Sequence, residues 1–407
     1  MKLIIAISGH FQSRGGEVFS HHLTYERFWK RYLEIFDSVL VVTRVKPVEK
    51  IPAGWGKATN SDVEFCALPD YHGPYQFLIQ MNRIQKIIQD AIEPGSSFVF
   101  RVPDNISTQV WKQIESGYPY GIEIVGDPWD AFAPGSIKSL GRPFYRWLWT
   151  RNLRLQCQQA SAVSYVTEHA LQQRYPPNKK AYATHYSSID LNSEDLKDDV
   201  NHRLAAISTI SERLVGDGHP VRLGFIGTFS QTHKLPHVHI EALAQCIAKG
   251  ANVTLDMIGD GILLKDMKLL AEKLGIGNRV NFLERLPGGK PILDAVDNFD
   301  VFLNATATEG LPRVVIEAMS RGCPCIASNV AGTPELLEER YLVPPGNAKK
   351  LAETILFVLG DPKVMAKMVH RNITVARKYC KDVLEPRRHA FYETIYKQTE
   401  KYLSKRR

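Results

Sequence analysis

Short runs of consecutive apolar residues alternate with longer stretches of helical periodicity along almost the whole chain. The runs show little alternation of apolar and polar positions, which is typical of parallel strands that are buried on both faces. The stretches between them carry apolar residues at helical spacing, as Phe28, Trp29, Tyr32 and Phe36 do in residues 21–36. This order predicts an α/β chain with parallel sheets. The predicted strands are LIIAIS, SVLVVTRV, SSFVFRV, YGIEIVG and AVSYVT, then VRLGFIG, VTLDMIG, RVNFL, FDVFLN and CPCIAS.

A polar segment near the middle of the chain, residues 193–220, separates two series of predicted strands. The length of 407 residues also exceeds what one hydrophobic core usually holds, so at least two domains are expected. Because strands and helices alternate in both series, each domain is expected to be Rossmann-like. The predicted bounds are 1–200 for the N-terminal domain, 201–219 for a linker, 220–376 for the C-terminal domain, and 377–407 for a last helix with a basic tail.

The composition is that of a soluble globular protein, with 44% hydrophobic and 23% charged residues. The longest apolar runs, such as the opening LIIAI, are far shorter than a membrane span. That run follows a single lysine and leads into a Gly-rich loop, which favours a first strand over a signal peptide. The six cysteines do not have the spacing of a zinc site or a redox pair. We therefore expect reduced thiols and a cytoplasmic protein.

The net charge of +8 lies mainly in residues 377–407, which hold ten Lys/Arg and four Asp/Glu. Such a patch favours an anionic partner, for example a phospholipid surface or a pyrophosphate-linked acceptor; no nucleic-acid-binding module accompanies it. A second membrane signal is the segment 143–156, which mixes aromatic residues with three arginines. Simpler interpretations stay open, namely a solvated helix face for the tail and an amphipathic helix packed on the sheet for 143–156.

Two carboxylates, Glu309 and Glu317, stand eight residues apart in the segment most informative about function. Residues 309–312 predict a loop, and VVIEAMSRG after them predicts a short helix with Pro312 near its start. Glu309 would then lie at the mouth of the helix, and Glu317 about two turns along it. The N–H groups at this helix start would be free to bind an anion or a hydroxyl-rich ligand such as a nucleotide sugar. These N–H groups belong to Gly310, Leu311 and Arg313.

The segment Thr308–Leu337 resembles the E-x7-E motif of retaining GT-B glycosyltransferases of family 4, the glycosyltransferase group 1 class. Upstream, Leu255–Pro287 is similar to that family's strand, Gly-Asp-Gly turn, helix and second strand. Val221–Ala244 resembles the first strand, phosphate loop and first helix of its donor domain. The segment ISGHFQSRGGEVF resembles the family's first N-terminal strand and Gly-Gly loop. The resemblance covers most of the chain and is strongest between Val221 and Leu337.

This resemblance implies a GT-B fold, in which two Rossmann-like domains with parallel sheets face each other across a cleft. Residues 1–200 would form the acceptor-side domain and residues 220–376 the nucleotide-sugar donor domain. The helix of residues 377–407 would cross back to the N-terminal domain. Because ligands of open α/β sheets bind beyond the carboxyl ends of the strands, the cleft would hold the donor on one wall and the acceptor on the other.

The resemblance also implies roles for single residues of the donor domain. Glu309 would contact hydroxyls of the donor sugar, and Glu317 would bind the ribose hydroxyls of the nucleotide. Lys234, in the loop after VRLGFIG, would neutralise the departing diphosphate, where negative charge develops. Taken alone, Glu309 could cap a helix, Glu317 could be an exposed helix residue, and Lys234 could be a solvated charge.

Two positions depart from the family pattern. The arginine that commonly stands six residues before the lysine is Thr228 here, and Arg285 or Arg313 could take its place. The His-Asp pair that commonly follows the strand GIEIVG is Gly126-Asp127 here. Asp127 could accept a proton or a hydrogen bond from the acceptor or the donor sugar. The alternative is an Asx-Pro turn, in which Asp127 bonds its own backbone.

Two further candidate sites lie in the N-terminal half of the chain. Gly15 and Gly16 follow the first strand in the first βα loop, where glycine lets the backbone approach a phosphate or sugar closely. A plain tight turn is the alternative for this pair. Arg101, in FRVPDN after another strand, is a weaker candidate for binding an anionic acceptor.

No metal or other cofactor is expected beside the nucleoside-diphosphate sugar that serves as substrate. His233, His237 and His239 crowd one segment, but residues two apart do not share a helix face and no carboxylate completes a ligand set. The absence of Walker A, GxSxG and HExxH motifs argues against P-loop kinases, serine hydrolases and zincins.

These observations predict a retaining, hexosyltransferase-like glycosyltransferase of surface polysaccharide biosynthesis. Its acceptor would be a glycan or a polyprenyl-pyrophosphate-linked intermediate, handled in the cytoplasm with peripheral association at the cytosolic membrane face. Two alternatives stay open. One is a GT-B phosphorylase or epimerase. The other, suggested by Thr228 and Gly126, is a non-catalytic sugar-binding GT-B subunit.

Overall fold

The computed structural model describes residues 1–133, 139–216 and 218–406. Its strands are β1 (Lys2–Ile7), β2 (Phe11–Arg14), β3 (Glu17–Ser20), β4 (Ser38–Pro47), β5 (Gly56–Lys57), β6 (Val63–Leu68), β7 (Ser97–Val102), β8 (Gly121–Ile124), β9 (Ala162–Tyr165), β10 (Tyr182–His185), β11 (Val221–Ile226), β12 (Val253–Ile258), β13 (Val280–Leu283), β14 (Val301–Asn304), β15 (Cys325–Ser328) and β16 (Leu342–Val343).

The α-helices over the same ranges are α1 (Gly73–Ala91), α2 (Asn105–Trp111), α3 (Pro128–Ala131), α4 (Arg142–Gln159), α5 (Ala170–Arg174), α6 (Asn201–Ser208), α7 (Ile210–Val215), α8 (Pro236–Ala248), α9 (Leu264–Lys273), α10 (Lys290–Asp297), α11 (Arg313–Ser320), α12 (Thr333–Leu336), α13 (Ala348–Leu359), α14 (Pro362–Arg377) and α15 (Lys381–Ser404). Among the described residues, no helix combines the length and the apolar character that crossing a bilayer requires.

Two parallel sheets, one in each half of the chain, form the framework. The N-terminal sheet has the strand order β10-β9-β8-β7-β1-β4-β6, and the C-terminal sheet has the order β13-β12-β11-β14-β15-β16. Central strands such as β1 and β14 are buried at nearly every position, because helices cover both faces of each sheet. This accounts for the unbroken apolar runs in the sequence. It also puts the carboxyl ends of the strands, where ligands bind, at one edge of each sheet.

A short antiparallel ribbon, formed by β2, β3 and β5, extends the N-terminal sheet beyond β4. Gly15 and Gly16 make the two-residue turn between β2 and β3, with φ of 59° and 81°. Two consecutive positive φ values are the requirement of a type I′ hairpin turn, which glycine meets without steric cost. The Gly-Gly pair therefore lies at an exposed hairpin tip, and not in a loop that leads directly from β1 into a helix.

The segment after this ribbon also differs from the sequence prediction. Residues 21–36 were expected to be one helix, but they form a single π-helical turn at Tyr25–Trp29 followed by a 3-10 turn at Lys30–Tyr32. The Trp29 indole N–H donates to the carbonyl of Leu23 at 2.8 Å. With the ring of Trp29 fully buried, the chain folds around this anchor and gives up regular helical geometry.

The segment predicted as a linker, 201–219, is largely helical. It holds α6 and α7, which pack on α14, α13 and β11 of the C-terminal half. Arg203 is buried and donates to the carbonyls of Phe299 (2.7 Å) and Arg321 (3.0 Å). The segment thus packs as part of the C-terminal domain, because its arginine satisfies backbone carbonyls there.

The last helix, α15, lies across β7 to β10 of the N-terminal sheet. Gly121 in β8 makes room for it, since a Cβ there would meet Ile395 at 2.1 Å. The Tyr392 hydroxyl donates to Glu123 at 2.9 Å, and the Ser97 hydroxyl donates to the Thr399 hydroxyl oxygen at 3.1 Å. The C-terminal end of the chain therefore completes the N-terminal domain.

Candidate functional site

The Lys234 loop connects β11 to α8 at the carboxyl edge of the C-terminal sheet. The carbonyl of His233 accepts hydrogen bonds from the Ala307 N–H (2.7 Å) and the Thr306 hydroxyl (2.9 Å). Both donors belong to the loop after β14, which continues to Glu309. These bonds bring two loops that are 75 residues apart in sequence against each other.

Lys234 and Glu309 form an ion pair between these loops, with Lys234 Nζ against Glu309 Oε1. The two side chains are 20% and 17% exposed, so the pair is partly shielded from water and still reachable from the cleft. Because partial burial weakens solvent screening, each charge helps to fix the position of the other. The structure thus joins two residues that the sequence had placed on separate motifs.

Free amides lie next to this pair, at the start of α11. Pro312 is the residue before the helix, and α11 begins at Arg313. In the ranges that the structure describes, no acceptor is bonded to the backbone N–H of Gly310, Leu311 or Arg313. The start of α11 therefore presents unpaired donors and the positive end of a helix dipole beside Glu309.

Glu317 lies one turn after Arg313 on α11 and is partly buried. Burial raises the pKa of its carboxyl, the Arg313 guanidinium opposes this rise, and Asp190 of the N-terminal domain adds to it. Within the described residues, its carboxylate accepts no hydrogen bond. A carboxylate left without donors at a cleft is suited to hydroxyl groups of a ligand.

Thr228 holds a turn and offers no charge. Its hydroxyl donates to the carbonyl of Asp260 at 3.3 Å and accepts from the Ser230 N–H at 3.1 Å. The Gly-Asp-Gly turn packs on this loop, since a Cβ at Gly259 would lie 1.9 Å from the carbonyl oxygen of Gly227. The loop after β11 is therefore fixed in place, and a second cation for a phosphate, beside Lys234, has to come from elsewhere.

Arg285 and Arg313 are the arginines that the sequence offered in place of the missing one. Arg285 follows β13 and approaches His21 and His22 of the N-terminal domain, at 3.5 and 3.3 Å. Arg313 lies close enough to His22 to lower its pKa. Both arginines therefore face the cleft, where they meet histidines that sequence reasoning had not selected.

Asp127 lies in a buried network and is only 4% exposed. Its carboxylate accepts from the Trp129 N–H at 2.8 Å, which is the Asx-Pro turn at the start of α3, and from the Tyr175 hydroxyl at 2.6 Å. The Arg174 guanidinium contacts its other oxygen. In this arrangement Asp127 has partners on both carboxylate oxygens.

Arg101 is likewise held inside the N-terminal domain. Its guanidinium donates to Glu123 at 3.0 Å, and Glu123 is 2% exposed. The same carboxylate accepts from the hydroxyls of Tyr186 (2.8 Å) and Tyr392 (2.9 Å). Arg101 therefore neutralises a buried carboxylate that ties α15 to the sheet, and it is not free for an anionic acceptor.

Gly15 and Gly16, at the hairpin tip of the ribbon, are not brought to the Lys234–Glu309 pair. Open space surrounds both, because a Cβ on either glycine would meet no atom within 4 Å. Of the residues selected from the sequence, the structure assembles one group at the start of α11. That group consists of Lys234, Glu309, Gly310, Leu311, Arg313 and Glu317.

Over the described ranges, no group of three or more His, Cys, Asp or Glu side chains is arranged to hold a metal ion. In the segment that holds His233, His237 and His239, one histidine has a structural role. His239 is fully buried, its Nε2 accepts from the Ala305 N–H at 3.0 Å, and burial lowers its pKa to about 4.

Sequence reasoning also missed a link between the domains. Glu335, the third residue of α12 in the motif TPEL, accepts hydrogen bonds from three consecutive backbone N–H groups at the start of α5. A carboxylate just after a glycine turn is a weak signal, and its partner helix could not be read from the sequence.

The aromatic segment 143–156 lies on α4 and is exposed at its N-terminal half. Phe144 and Trp147 are 57% and 56% exposed, whereas Leu153 and Cys157 are buried. Tyr145 and Trp149 are half-buried against Phe132, with ring centroids 6.1 and 5.9 Å away, so the helix packs some of its aromatic residues and exposes Phe144 and Trp147. In the basic tail, Arg406 is paired with Glu115, so the charge there is partly neutralised.

Comparisons with known proteins agree with this arrangement. Residues 208–375 match the family described as Glycosyl transferases group 1. Protein CapJ of Staphylococcus aureus is 27% identical over 347 residues, which cover 83% of this chain and 80% of CapJ. The Lipopolysaccharide core biosynthesis glycosyltransferase LpsE of Rhizobium meliloti is 27% identical over 132 residues, which cover 32% of this chain and 38% of LpsE.

A solved structure extends the likeness to the whole chain. HepE of Anabaena, in complex with UDP, superposes with a TM-score of 0.58 at 20% identity over 100% of both chains. HepE has also been solved in complex with UDP-glucose. The predicted architecture, two α/β domains with parallel sheets in the GT-B arrangement, is thereby confirmed.

Proposed function

We propose that this protein, whose residues 208–375 match the Glycosyl transferases group 1 family, is a retaining glycosyltransferase of polysaccharide biosynthesis. It moves a sugar, as a hexosyltransferase of the family 4 type, from a nucleoside-diphosphate sugar to a glycan or polyprenyl-pyrophosphate-linked acceptor. The observation that carries this proposal is the Lys234–Glu309 pair beside the free amides of α11. The names of LpsE and of the HepE complexes support the substrate classes.

The donor binds along the carboxyl edge of the C-terminal sheet. The carboxylate of Glu317 accepts hydrogen bonds from the ribose hydroxyls, and Glu309 accepts them from the sugar. The diphosphate binds the Lys234 ammonium and accepts hydrogen bonds from the free N–H groups of Gly310 and Leu311. No metal is needed in this scheme, because an ammonium and a helix start neutralise the anion.

Transfer then depends on charge that develops on the leaving diphosphate. As the glycosidic bond breaks, the shared oxygen becomes a phosphate oxygen with a growing negative charge. Lys234 stabilises this added charge more strongly than it stabilises the intact donor, whose bridging oxygen carries less charge, which is the condition for acceleration. The acceptor hydroxyl attacks from the same face, its proton passes to the departing phosphate, and the sugar keeps its anomeric configuration.

The acceptor reaches the cleft from the cytosolic face of a membrane, where the protein is peripherally associated. The exposed rings of Phe144 and Trp147 and the cations Arg146 and Arg151 on α4 form a surface of the kind that inserts at a bilayer interface. The basic end of α15 adds attraction to anionic lipid.

A thermal-shift screen with UDP, GDP, ADP, CDP and their sugars tests the donor assignment. Binding stabilises by mass action, so the correct nucleotide raises the melting temperature with increasing concentration. Slow release of free sugar from the correct donor then shows turnover. If none of the nucleotides binds, the proposal is wrong. Binding without turnover, with or without acceptor, would favour a non-catalytic sugar-binding subunit, as Thr228 and Gly126 first suggested. Isomerisation of the donor or dependence on free phosphate would favour an epimerase or a phosphorylase.

A further inference from the structure

Five basic side chains from both domains meet on one side of the cleft. We name His21, His22, Arg27, Arg285 and Arg313 the cationic cluster. Arg285 contacts both histidines at 3.5 and 3.3 Å, and the Nδ1 atoms of His21 and His22 are 3.3 Å apart. Arg27 and Arg313 lie near enough to act on His22 electrostatically.

The arginines of the cationic cluster are not balanced by ion pairs, although Arg313 acts electrostatically on the Glu317 carboxylate. Among the described residues, no acidic side chain lies within ion-pair distance of Arg27, Arg285 or Arg313. The nearby lysines, in contrast, have acidic partners: Lys57 is paired with Glu17, and Lys30 with Glu26. Repulsion from the neighbouring basic groups adds to the effect of burial on the pKa of His22. Partial burial, His21, and then the arginines lower the pKa of His22 to about 4.

The geometry of the segment keeps these histidines in place. The N–H of Leu23 donates to the Ser20 hydroxyl at 3.1 Å, and the carbonyl of Leu23 accepts from the Trp29 indole. His21 and His22 lie directly between these two anchors. Three arginines that the fold holds beside these histidines, without an ion-pair partner, form a preformed site for an anion.

A pocket of about 1240 Å³, open to solvent, continues from the cationic cluster into the N-terminal domain. Its lining includes His21 and Arg27 of the cluster, the aromatic rings of Tyr25 and Trp55, and the polar Asn60. Glu26 and Lys57 also line it, and each has an ion-pair partner of its own, Lys30 and Glu17 respectively. The far wall of the pocket is the ribbon. Its strand β5 approaches Thr24 closely, since a Cβ on Gly56 would lie 2.7 Å from the methyl group of Thr24. Flat rings beside polar groups suit a sugar, which has apolar faces and a hydroxyl edge.

We propose that this pocket binds an acidic sugar of the acceptor glycan, with its ring between Tyr25 and Trp55 and its carboxylate or phosphate at the cationic cluster. The inference rests on the proposed function and names its acceptor class. Two guanidinium groups can bind either anion through paired N–H donors. Because Arg285 and Arg313 come from the C-terminal domain, such an acceptor also bridges the domains.

The donor diphosphate is the other anion that could occupy the cationic cluster. The pocket favours the acceptor, because the residues that line it belong to the N-terminal domain, whereas Lys234 and α11 belong to the C-terminal domain. A donor diphosphate held by Lys234 would leave the Tyr25–Trp55 part of the pocket empty.

Ligand-observed NMR titrations with glucose, glucuronic acid, glucose 6-phosphate and inorganic pyrophosphate test the proposal on the full chain. Both acidic sugars should bind at least tenfold more tightly than glucose. Combined R27Q and R285Q substitutions should abolish that difference, whereas Trp55→Ala should weaken all three sugars. Arg83→Gln and Tyr75→Ala, both exposed on α1, serve as matched controls and should change nothing.

Three results would overturn the inference. They are equal binding of glucose and the acidic sugars, no binding of any sugar at tens of millimolar, or pyrophosphate binding that needs the arginines while the acidic sugars do not bind. The last result would assign the cationic cluster to the donor. None of these titrations needs a donor, so failure here with successful nucleotide binding leaves the proposed function standing. Conversely, acidic-sugar binding without nucleotide binding would reject only the proposed function.

Discussion

The carboxylate of Glu335 in the C-terminal domain accepts a 2.7 Å hydrogen bond from the backbone N–H of Ala170 in the N-terminal domain. It also accepts from the N–H groups of Glu168 (2.6 Å) and His169 (2.9 Å). These three groups open α5 and have no partner inside that helix. One side chain of the C-terminal domain thus supplies the missing acceptors of a helix in the other domain, and it holds the cleft in the form seen here.

Replacing Glu335 should loosen this contact. In Glu335→Ala the three N–H groups turn to water, and we expect the contact between the domains to lose about 1–3 kcal/mol. Small-angle X-ray scattering should show a larger radius of gyration, and the KM for the donor should rise. Glu339→Ala, an exposed neighbour in sequence, is the control. Unchanged scattering in Glu335→Ala would show that other contacts suffice to hold the domains.

Lys234→Ala should reduce the turnover of the donor. Because the ammonium stabilises charge that grows only in the transition state, kcat should fall by about 10²–10³, with a smaller effect on KM. The readout is the rate of sugar release from the nucleotide sugar that the thermal-shift screen selects. Lys273→Ala, exposed on α9, should keep full activity. A kcat within threefold of the parent would reject the role of Lys234 at the leaving group.

Nucleotide binding should weaken at mildly acidic pH through Glu317. Burial raises the pKa of this carboxyl above its ordinary 4.5, so protonation removes the ribose acceptor at a pH where an exposed glutamate is still charged. The stability of the ligand-free protein changes with pH in the opposite direction. The folded state binds this proton more tightly than the unfolded state, so Glu317 adds stability as the pH falls.

Calorimetric titration of the nucleotide between pH 7.5 and 5 measures this effect. Glu317→Gln should bind more weakly at neutral pH and should lose the Glu317 part of the pH dependence. If the nucleotide affinities of the parent and of Glu317→Gln change equally with pH, another group is responsible for the pH dependence.

Gly310→Ala should disturb the contact between the domains at the donor site. A Cβ on Gly310 would lie 2.6 Å from the carbonyl oxygen of Val125 and 3.3 Å from Val166. The backbone of Val125 cannot move aside as a flexible side chain could, so we expect a cost of about 1–3 kcal/mol in stability or activity. Gly288→Ala is a matched control in open space. The melting temperature and kcat/KM of both variants distinguish the two sites.

The membrane proposal predicts binding to anionic vesicles at low salt. F144S and W147S together should reduce co-sedimentation with phosphatidylglycerol vesicles by about tenfold or more, because two rings no longer enter the interface. Leu269→Ser, a comparably exposed apolar residue on α9, should bind as the parent does. A parent protein that stays in the supernatant at low salt would contradict the proposal.

The strands and the donor-site segment were predictable because their signals are local. A parallel strand that is buried on both faces must be apolar at successive positions, so β1 and β14 are visible as unbroken runs. The Glu309 loop was equally clear, since Pro312 and the helical pattern after it fix the loop and the helix start. The roles of the donor-site residues stay predictions until the variants above are measured.

The ribbon was missed because its strands are only two to four residues long, too short for alternation to stand out from a loop. Asp127 shows a different limit. Its partners Arg174 and Tyr175 lie 47 and 48 residues away, and nothing in the local sequence indicates that they occupy both carboxylate oxygens. The same limit applies to Arg101, because its partner Glu123 lies on the neighbouring strand β8.

By itself, the sequence determined the parallel α/β pattern, the loop and helix that carry Glu309 and Glu317, and the loop that carries Lys234. Only the tertiary structure decided that Lys234 reaches Glu309, that Glu335 caps a helix of the other domain, and that Arg285 meets His21 and His22. The physical reason is the distance along the chain over which each kind of signal acts. Hydrophobic periodicity and turn chemistry act over a few residues, whereas the pairing of charges depends on which strand ends the sheets bring together.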